Sequence, residues 1–242
     1  MTRKLVGTEW RLLRREPIAL FWAVAFPVIL LVVMGLASSG PDKDLGGVSL
    51  VATYVPILLA FALAVLAINA LPTVVASYRE KGILRRLATT PVAPSRVLGA
   101  QIAVHLAVVV AAAVLVLAIA RAAFGVALPE QAFGFAVAYA LTAAALFGVG
   151  LLVAAAAPTS RTANAIGAIV FFPMMFFAGL WVPRAAMGAT LRDVSDATPL
   201  GAGVGALQRA MQGDFPRPMH LAALAVWALV ASVAARTLFR WD

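Results

Sequence analysis

The chain has 242 residues, 63 % of them hydrophobic and only 12 % charged, with 19 Lys or Arg against 10 Asp or Glu and a formal charge of +9. A soluble domain is about 25 % charged, so a globule of this length could not hide so much apolar surface, and lipid is the solvent that suits it. The absence of Cys excludes disulfide scaffolds, thiolate zinc sites and Cys nucleophiles, and two His with few carboxylates leave little for a metal centre.

At 100° per residue, Val6, Trp10 and Leu13 share a narrow arc, while Lys4, Arg11 and Arg15 fall opposite. This pattern predicts an N-terminal amphipathic helix over 1–17 that lies in the headgroup layer. Trp10 would sit at the interface, with Arg11 and Arg15 toward anionic lipid. A plain basic flank that sets topology is the compatible alternative.

About 20 mostly apolar residues cross a core of about 30 Å. On that ruler six spans are predicted: 18–37, 49–76, 97–120, 131–157, 163–182 and 220–235. Pro27, Pro56, Pro72 and Pro173 interrupt them, and Pro158 stops the fourth. The first span, at about 20 residues, is longer than the 7–15 of a signal-peptide core and is expected to stay uncleaved.

The segments 1–17, 77–98, 158–162 and 236–242 together hold 13 Lys or Arg and four acidic residues; the opposite side holds six and six. That bias puts both termini in the cytoplasm. It also accounts for the whole excess charge, so no nucleic-acid partner is expected.

The loop between spans two and three, 77–98, is longer than topology requires. Ile83, Leu84 and Leu87 share an arc, Lys81 and Arg85 point away, and Thr89-Thr90-Pro91 closes the pattern. A short helix on the cytoplasmic face, able to contact a partner protein, is predicted; a membrane-surface helix with no partner is the alternative.

Within the spans, Ala132, Ala136, Ala140, Ala144 and Gly148 recur at i+4, as do Gly99, Ala103, Ala107 and Ala111. Both stripes are expected to be packing faces within the subunit. Intramembrane polar residues are functional candidates by default: Asn69, His105, Thr142 and Asn164. His105 either faces a cavity or bonds a neighbour, and the spans carry no acidic partner for proton coupling. Asn69, close to Pro72, either forms part of a gate or makes an interhelical hydrogen bond. The run 171–177, Phe-Phe-Pro-Met-Met-Phe-Phe, offers an adaptable apolar surface at a kink. Phe172, Pro173, Met175 and Phe176 either line or gate a lipophilic route, or pack against lipid or core.

The segment Tyr78-Arg79-Glu80-Lys81-Gly82, followed by Leu87-Ala88-Thr89-Thr90-Pro91-Val92, resembles the cytoplasmic loop of ABC-2 type ABC transporter permeases, most closely the short drug- and antibiotic-export members. Gly179-Leu180-Trp181-Val182-Pro183 with Ala197-Thr198-Pro199-Leu200 resembles that family's external stretch between spans five and six. Ala186-Met187-Gly188 departs from it, where many members carry Leu-Pro.

The resemblance implies an all-α integral membrane protein in a bacterial cell membrane, a single transmembrane domain over 1–242. It would have six transmembrane helices, an interfacial N-terminal helix, a cytoplasmic coupling helix in 77–98 and an external re-entrant segment over 183–219. It further implies a permease that pairs with a second copy or paralogue and moves a lipophilic or amphipathic substrate, a drug, antibiotic or lipid. Arg79, Glu80, Lys81, Gly82, Arg85 and Arg86 would contact a separate ATPase subunit. The chain has no Gly-x-x-x-x-Gly-Lys-Ser/Thr loop, so ATP and Mg are expected on that partner and no cofactor on this chain.

Two other classes are weighed. An ATP-independent secondary carrier or channel would want inverted repeats, a charged midplane site or a polar filter. An intramembrane enzyme would want a nucleophile elbow, a metal-binding His pair or a carboxylate dyad in a span. The sequence offers none of these, and the chain is not expected to be an enzyme.

Overall fold

The computed structural model describes residues 2–13, 16–37, 49–83, 86 and 94–238. The candidate residues Arg15 and Arg85, together with Leu84 and 87–93 of the expected loop helix, lie outside the described residues. Among those described, six helices are long and apolar enough to cross a membrane. They are α2 (Pro17–Ala37), α3 (Leu50–Glu80), α4 (Pro94–Phe124), α5 (Ala132–Ala156), α6 (Ser160–Ala178) and α9 (Pro218–Leu238). Helix α1 (Thr2–Leu13) precedes them, and α7 (Ala189–Ala197) and α8 (Pro199–Met211) stand between α6 and α9.

Helix α3 is the hub. Of its most apolar stretch 89 % is buried, against 17 % for α2 and for α9. It begins at Ser49, whose hydroxyl accepts from the Ala52 N–H at 3.2 Å. It then runs unbroken past Pro56 and opens into a π-turn at Val65–Ala70, just before Pro72. Helix α2 repeats the device, with a π-turn at Phe21–Ala25 just before Pro27. Proline has no N–H and crowds the preceding turn, so the helix widens there rather than breaking.

The widened turn of α3 is held by glycines on two neighbours. A Cβ on Gly150 of α5 would stand 1.8 Å from the Ala67 carbonyl oxygen, and one on Gly167 of α6 would stand 2.8 Å from that of Ile68. Without side chains there, the helix backbones approach closely, which is how helices associate in lipid. Around this contact, Leu58, Leu63, Leu66 and Ile68 of α3 are fully buried with Leu146 and Met175. Helix α9 packs along α5, with Gly148 of α5 facing the Ala228 carbonyl and Ser232 of α9.

The expected small-residue stripes point the other way. Gly99, Ala103, Ala107 and Ala111 of α4, and Ala132, Ala136, Ala140 and Ala144 of α5, are exposed on this subunit, and only Gly148 of the set is buried. Filling the interior takes volume, so α4 turns Val104, Val108, Val109 and Val116 inward and α5 turns Tyr139, Leu146, Phe147 and Val149. A stripe of small residues reads the same in the sequence whichever way it faces.

Helix α6 starts at Ser160, three residues before the expected span, capped by Thr159 accepting from the Thr162 N–H. It ends at Gly179, whose φ of +94° turns the chain out. Between α6 and α9 the chain forms a 3-10 turn at Arg184–Ala186, then α7, then α8. Thr198 caps α8 by accepting from the Gly201 N–H, and Pro199 occupies its first turn. Residues 199–207 and Ala210 of α8 are all buried, packed against α3, α5, α6 and α9. The segment expected to be external thus drives one complete helix into the bundle.

The contact between Gly150 and Ala67 sets a direct test. Gly150→Val forces a Cβ into a backbone oxygen and is expected to cost at least the 1–3 kcal/mol typical of overpacking. It should appear in detergent as a lowered thermal midpoint or loss of the monodisperse peak. Gly99→Val, where a Cβ meets nothing within 4 Å, should leave both unchanged.

Candidate coupling and translocation sites

At the end of the bundle that carries α1, the last turn of α3 is fastened to three other helices. Arg79 donates from Nη1 to the Ala154 and Ala157 carbonyls at 3.1 and 2.8 Å, closing the C-terminus of α5. Glu80 accepts on Oε2 from the Ser160 hydroxyl at 2.6 Å and the Ser160 N–H at 3.3 Å, at the N-terminus of α6. A cation at a helix C-terminus and an anion at an N-terminus each match the helix dipole. Lys81 and Gly82 follow as a turn, Gly82 with φ +66° and the Gly82 N–H donating to the Arg79 carbonyl at 2.9 Å. Lys81 and Arg86 are exposed.

The third attachment was not legible in the sequence. Helix α1 docks on α4 through half-buried Val6 and buried Leu13 and Glu9, while Trp10 stays 45 % exposed and Arg11 is exposed. Val6 and Leu13 of the expected arc thus turn toward α4 with Glu9 beside them, and Trp10 stays at the edge of that face. The Glu9 carboxylate accepts from the Tyr78 hydroxyl at 3.0 Å and from Gln101 Nε2 at 3.3 Å. Burial lifts its pKa above the usual 4.5, against the pull of these two donors. A small cavity of about 20 Å³ adjoins it, lined among others by Gln101 and His105. His105 is buried, with Nδ1 bonded to the Gln101 carbonyl at 2.8 Å. Glu9 of α1 lines the same small cavity.

The other candidates are dispersed. Asn69 is half-buried in the π-turn of α3; its carbonyl accepts from the Thr73 hydroxyl at 2.7 Å, and its Oδ1 faces Gly167 of α6. Thr142 is fully buried, donating to the Ala138 carbonyl and pressed against Gly203 of α8. Asn164 lies exposed on the first turns of α6. Phe172 and Pro173 are exposed, Phe176 is half-buried and Met175 is fully enclosed in the core. Phe172 stacks on Trp181 with centroids 6.4 Å apart, whereas Phe171 meets Phe61 of α3 at 5.7 Å.

At the opposite end lies a polar cluster absent from the sequence candidates. Arg184 is buried and bonds the Ser195 hydroxyl, the Asp196 carboxylate and, at 3.1 Å, the Gly201 carbonyl. Ser195 in turn donates to the Phe177 carbonyl, so the guanidinium ties α7 and α8 to the end of α6. His220 Nε2 of α9 stands 3.2 Å from the same Asp196 oxygen. The only sequence sign was a pair of opposite charges twelve residues apart in an outer loop, too ordinary to single out.

Because Glu9 has a raised folded-state pKa, it favours the folded state when protonated. That contribution is full below the ordinary carboxylate pKa of 4.5 and is lost as pH rises through the folded value. The thermal midpoint of the wild type relative to Glu9→Gln is therefore expected to fall on going from pH 4 to 7, the reverse of a salt-bridged carboxylate. A flat difference would contradict this burial.

The model of the ABC-2 type transporter family matches residues 2–211, through α1 to the end of α8. No curated protein matches the chain. Six apolar helices, the docked α1 and a family match over most of the length make this multi-pass membrane protein a member of the ABC-2 type transporter family.

Proposed function

We propose that the chain is the permease subunit of an ATP-driven exporter, set in a bacterial cell membrane with both termini in the cytoplasm. It pairs with a second permease, a copy or a paralogue, to enclose the route of a lipophilic or amphipathic substrate. The chain itself catalyses no reaction; ATP and Mg are bound and turned over on separate ATPase subunits.

The observation that supports coupling is the fastening of Arg79 to the end of α5 and of Glu80 to the start of α6. In this reading the loop 78–91 rests on an ATPase subunit, and ATP-driven closure displaces it. Because Arg79 and Glu80 are engaged within the chain, they pass the displacement on, while Lys81, Gly82, Arg85 and Arg86 meet the partner. The last turn of α3 then moves with α5 and α6 as one body, through the same three helices that meet at Gly150 and Gly167. ATP biases the transporter only as far as its contacts differ between the two conformations. The exposed edge of Phe172 and Pro173 on α6 faces the route, with Phe176 beside it; Met175 supports it from within, and Asn69 sits at the π-turn where α3 meets α6.

Purification from native membranes in mild detergent should recover an ATPase subunit in stoichiometric amount. Since the chain has no Cys, a single Cys at Ala88 should crosslink to it. A preparation free of ATPase that still moves solute would replace this reading with the secondary carrier. In the complex, Arg85→Glu with Arg86→Glu, or Gly82→Val at its positive φ, should lower transport at least tenfold while ATP hydrolysis persists. Normal transport in both would remove the loop from the coupling path.

A further inference from the structure

A cavity of about 500 Å³ opens at the end of the bundle away from α1, between the starts of α3 and α9, helices α7 and α8 and the 3-10 turn before α7. That is within the 300–1,000 Å³ common for small-molecule sites. Among the described residues four arginines line it, Arg184, Arg192, Arg209 and Arg217, against one aspartate, Asp196.

The charges on this side of the protein do not account for that imbalance. Among the described residues outside the spans it carries five basic and four acidic residues, and four of those bases but only one of those acids line this cavity. Topology rewards keeping cations away from this side and gives no reason to gather those that remain. Two of the four are answered within the chain: Arg184 by Asp196, and Arg209 by Asp214 at 2.8 Å. Arg192 is steered by a bond from Nη2 to the Met187 carbonyl at 2.9 Å and has no ion-pair partner among the described residues. The Arg217 side chain has no hydrogen-bond or ion-pair partner among the described residues.

The floor is rigid. Arg184 is 7 % exposed and held by three acceptors, and buried His220 lies against the same Asp196, its Nδ1 without a hydrogen-bond partner among the described residues. Another wall is apolar, made by Pro56, Val126 and Met211 among others. Guanidinium groups suit phosphate and carboxylate oxygens because their donors form a planar fork.

We infer that this cavity binds the phosphate or carboxylate group of an anionic ligand at Arg192 and Arg217, above the fixed Arg184–Asp196–His220 floor. An anionic amphiphile and a free anion share that chemistry. The site deepens the exporter reading by naming a substrate class, and rests on it only for the movement of what is bound.

The test is equilibrium binding to the purified full chain in neutral detergent, without ATPase. The probes are dioctanoyl phosphatidic acid, dioctanoylglycerol as its uncharged counterpart, and inorganic phosphate. Phosphatidic acid should bind at least tenfold more tightly than dioctanoylglycerol, and weaken with salt. Arg192→Gln with Arg217→Gln, both exposed positions whose change should leave the thermal midpoint in place, should remove most of that preference. Arg121→Gln, exposed at the outer end of α4 and outside the cavity lining, should keep it.

Phosphate competing only in large excess assigns the site to an amphiphile, and phosphate competing at equal concentration assigns it to a free anion; both place the anion at these arginines. Equal affinity for the two lipids, or an Arg121→Gln loss as large as that of the double variant, overturns the site. The binding preference found here, together with native-membrane purification that recovers no ATPase, keeps the site and discards the exporter reading. An ATP-driven complex that does not distinguish the two lipids does the reverse.

Discussion

The rest of the bundle depends on the close approach of α3 to α5 and α6 at its π-turn. The Ala67 and Ile68 carbonyls press into the positions where Gly150 and Gly167 lack side chains, at would-be Cβ distances of 1.8 and 2.8 Å. Pro72 is the cause on one helix: without its N–H the ladder is left short, and the turn before it widens. The two glycines are the answer on the others. In lipid there is little solvent-driven collapse to gather helices, so such contacts fix which faces meet.

From that centre the structure is fastened differently at its two ends. Near α1 the ties are charged and rest on helix termini, with Arg79 closing α5 and Glu80 opening α6. They also join the last turn of α3 to two helices of opposite direction. At the far end the tie is a buried Arg184–Asp196 pair that anchors the inserted α8. Removing either partner of such a pair would strand a buried charge, commonly a loss of about 3–5 kcal/mol. The inserted helix is therefore fixed in place by chemistry as well as by packing.

Much of this was legible in the sequence. Uninterrupted apolar runs gave the six long helices to within a few residues, since helix length in a bilayer is set by its thickness. Pro27 and Pro72 marked where α2 and α3 deform, whereas Pro56 and Pro173 stand inside unbroken helix, and the motif at 78–82 drew attention to the segment that joins α3 to α5 and α6. What failed was direction. The Ala and Gly stripes of α4 and α5 were expected inside and, Gly148 apart, are outside, and α1 carries the unexpected Glu9 into its contact with α4. A helical arc says which residues share a face, and in lipid an apolar face can turn either to protein or to solvent, so hydrophobicity no longer tells inside from outside.

The sequence by itself therefore determined the class, the number and length of the spanning helices, the places where proline would loosen them and the family. Each of these depends on residues close together in the chain. Only the tertiary structure decided that Glu9 meets Tyr78 and Gln101, that Arg79 and Glu80 are engaged at the ends of α5 and α6, and that arginines from the 3-10 turn, α7, α8 and the link before α9 converge on one cavity. Those pairings join residues up to ninety-two positions apart. They follow from how the helices rotate about their axes, which is fixed by packing volume at Gly150 and Gly167 rather than by any local pattern of charge or hydropathy.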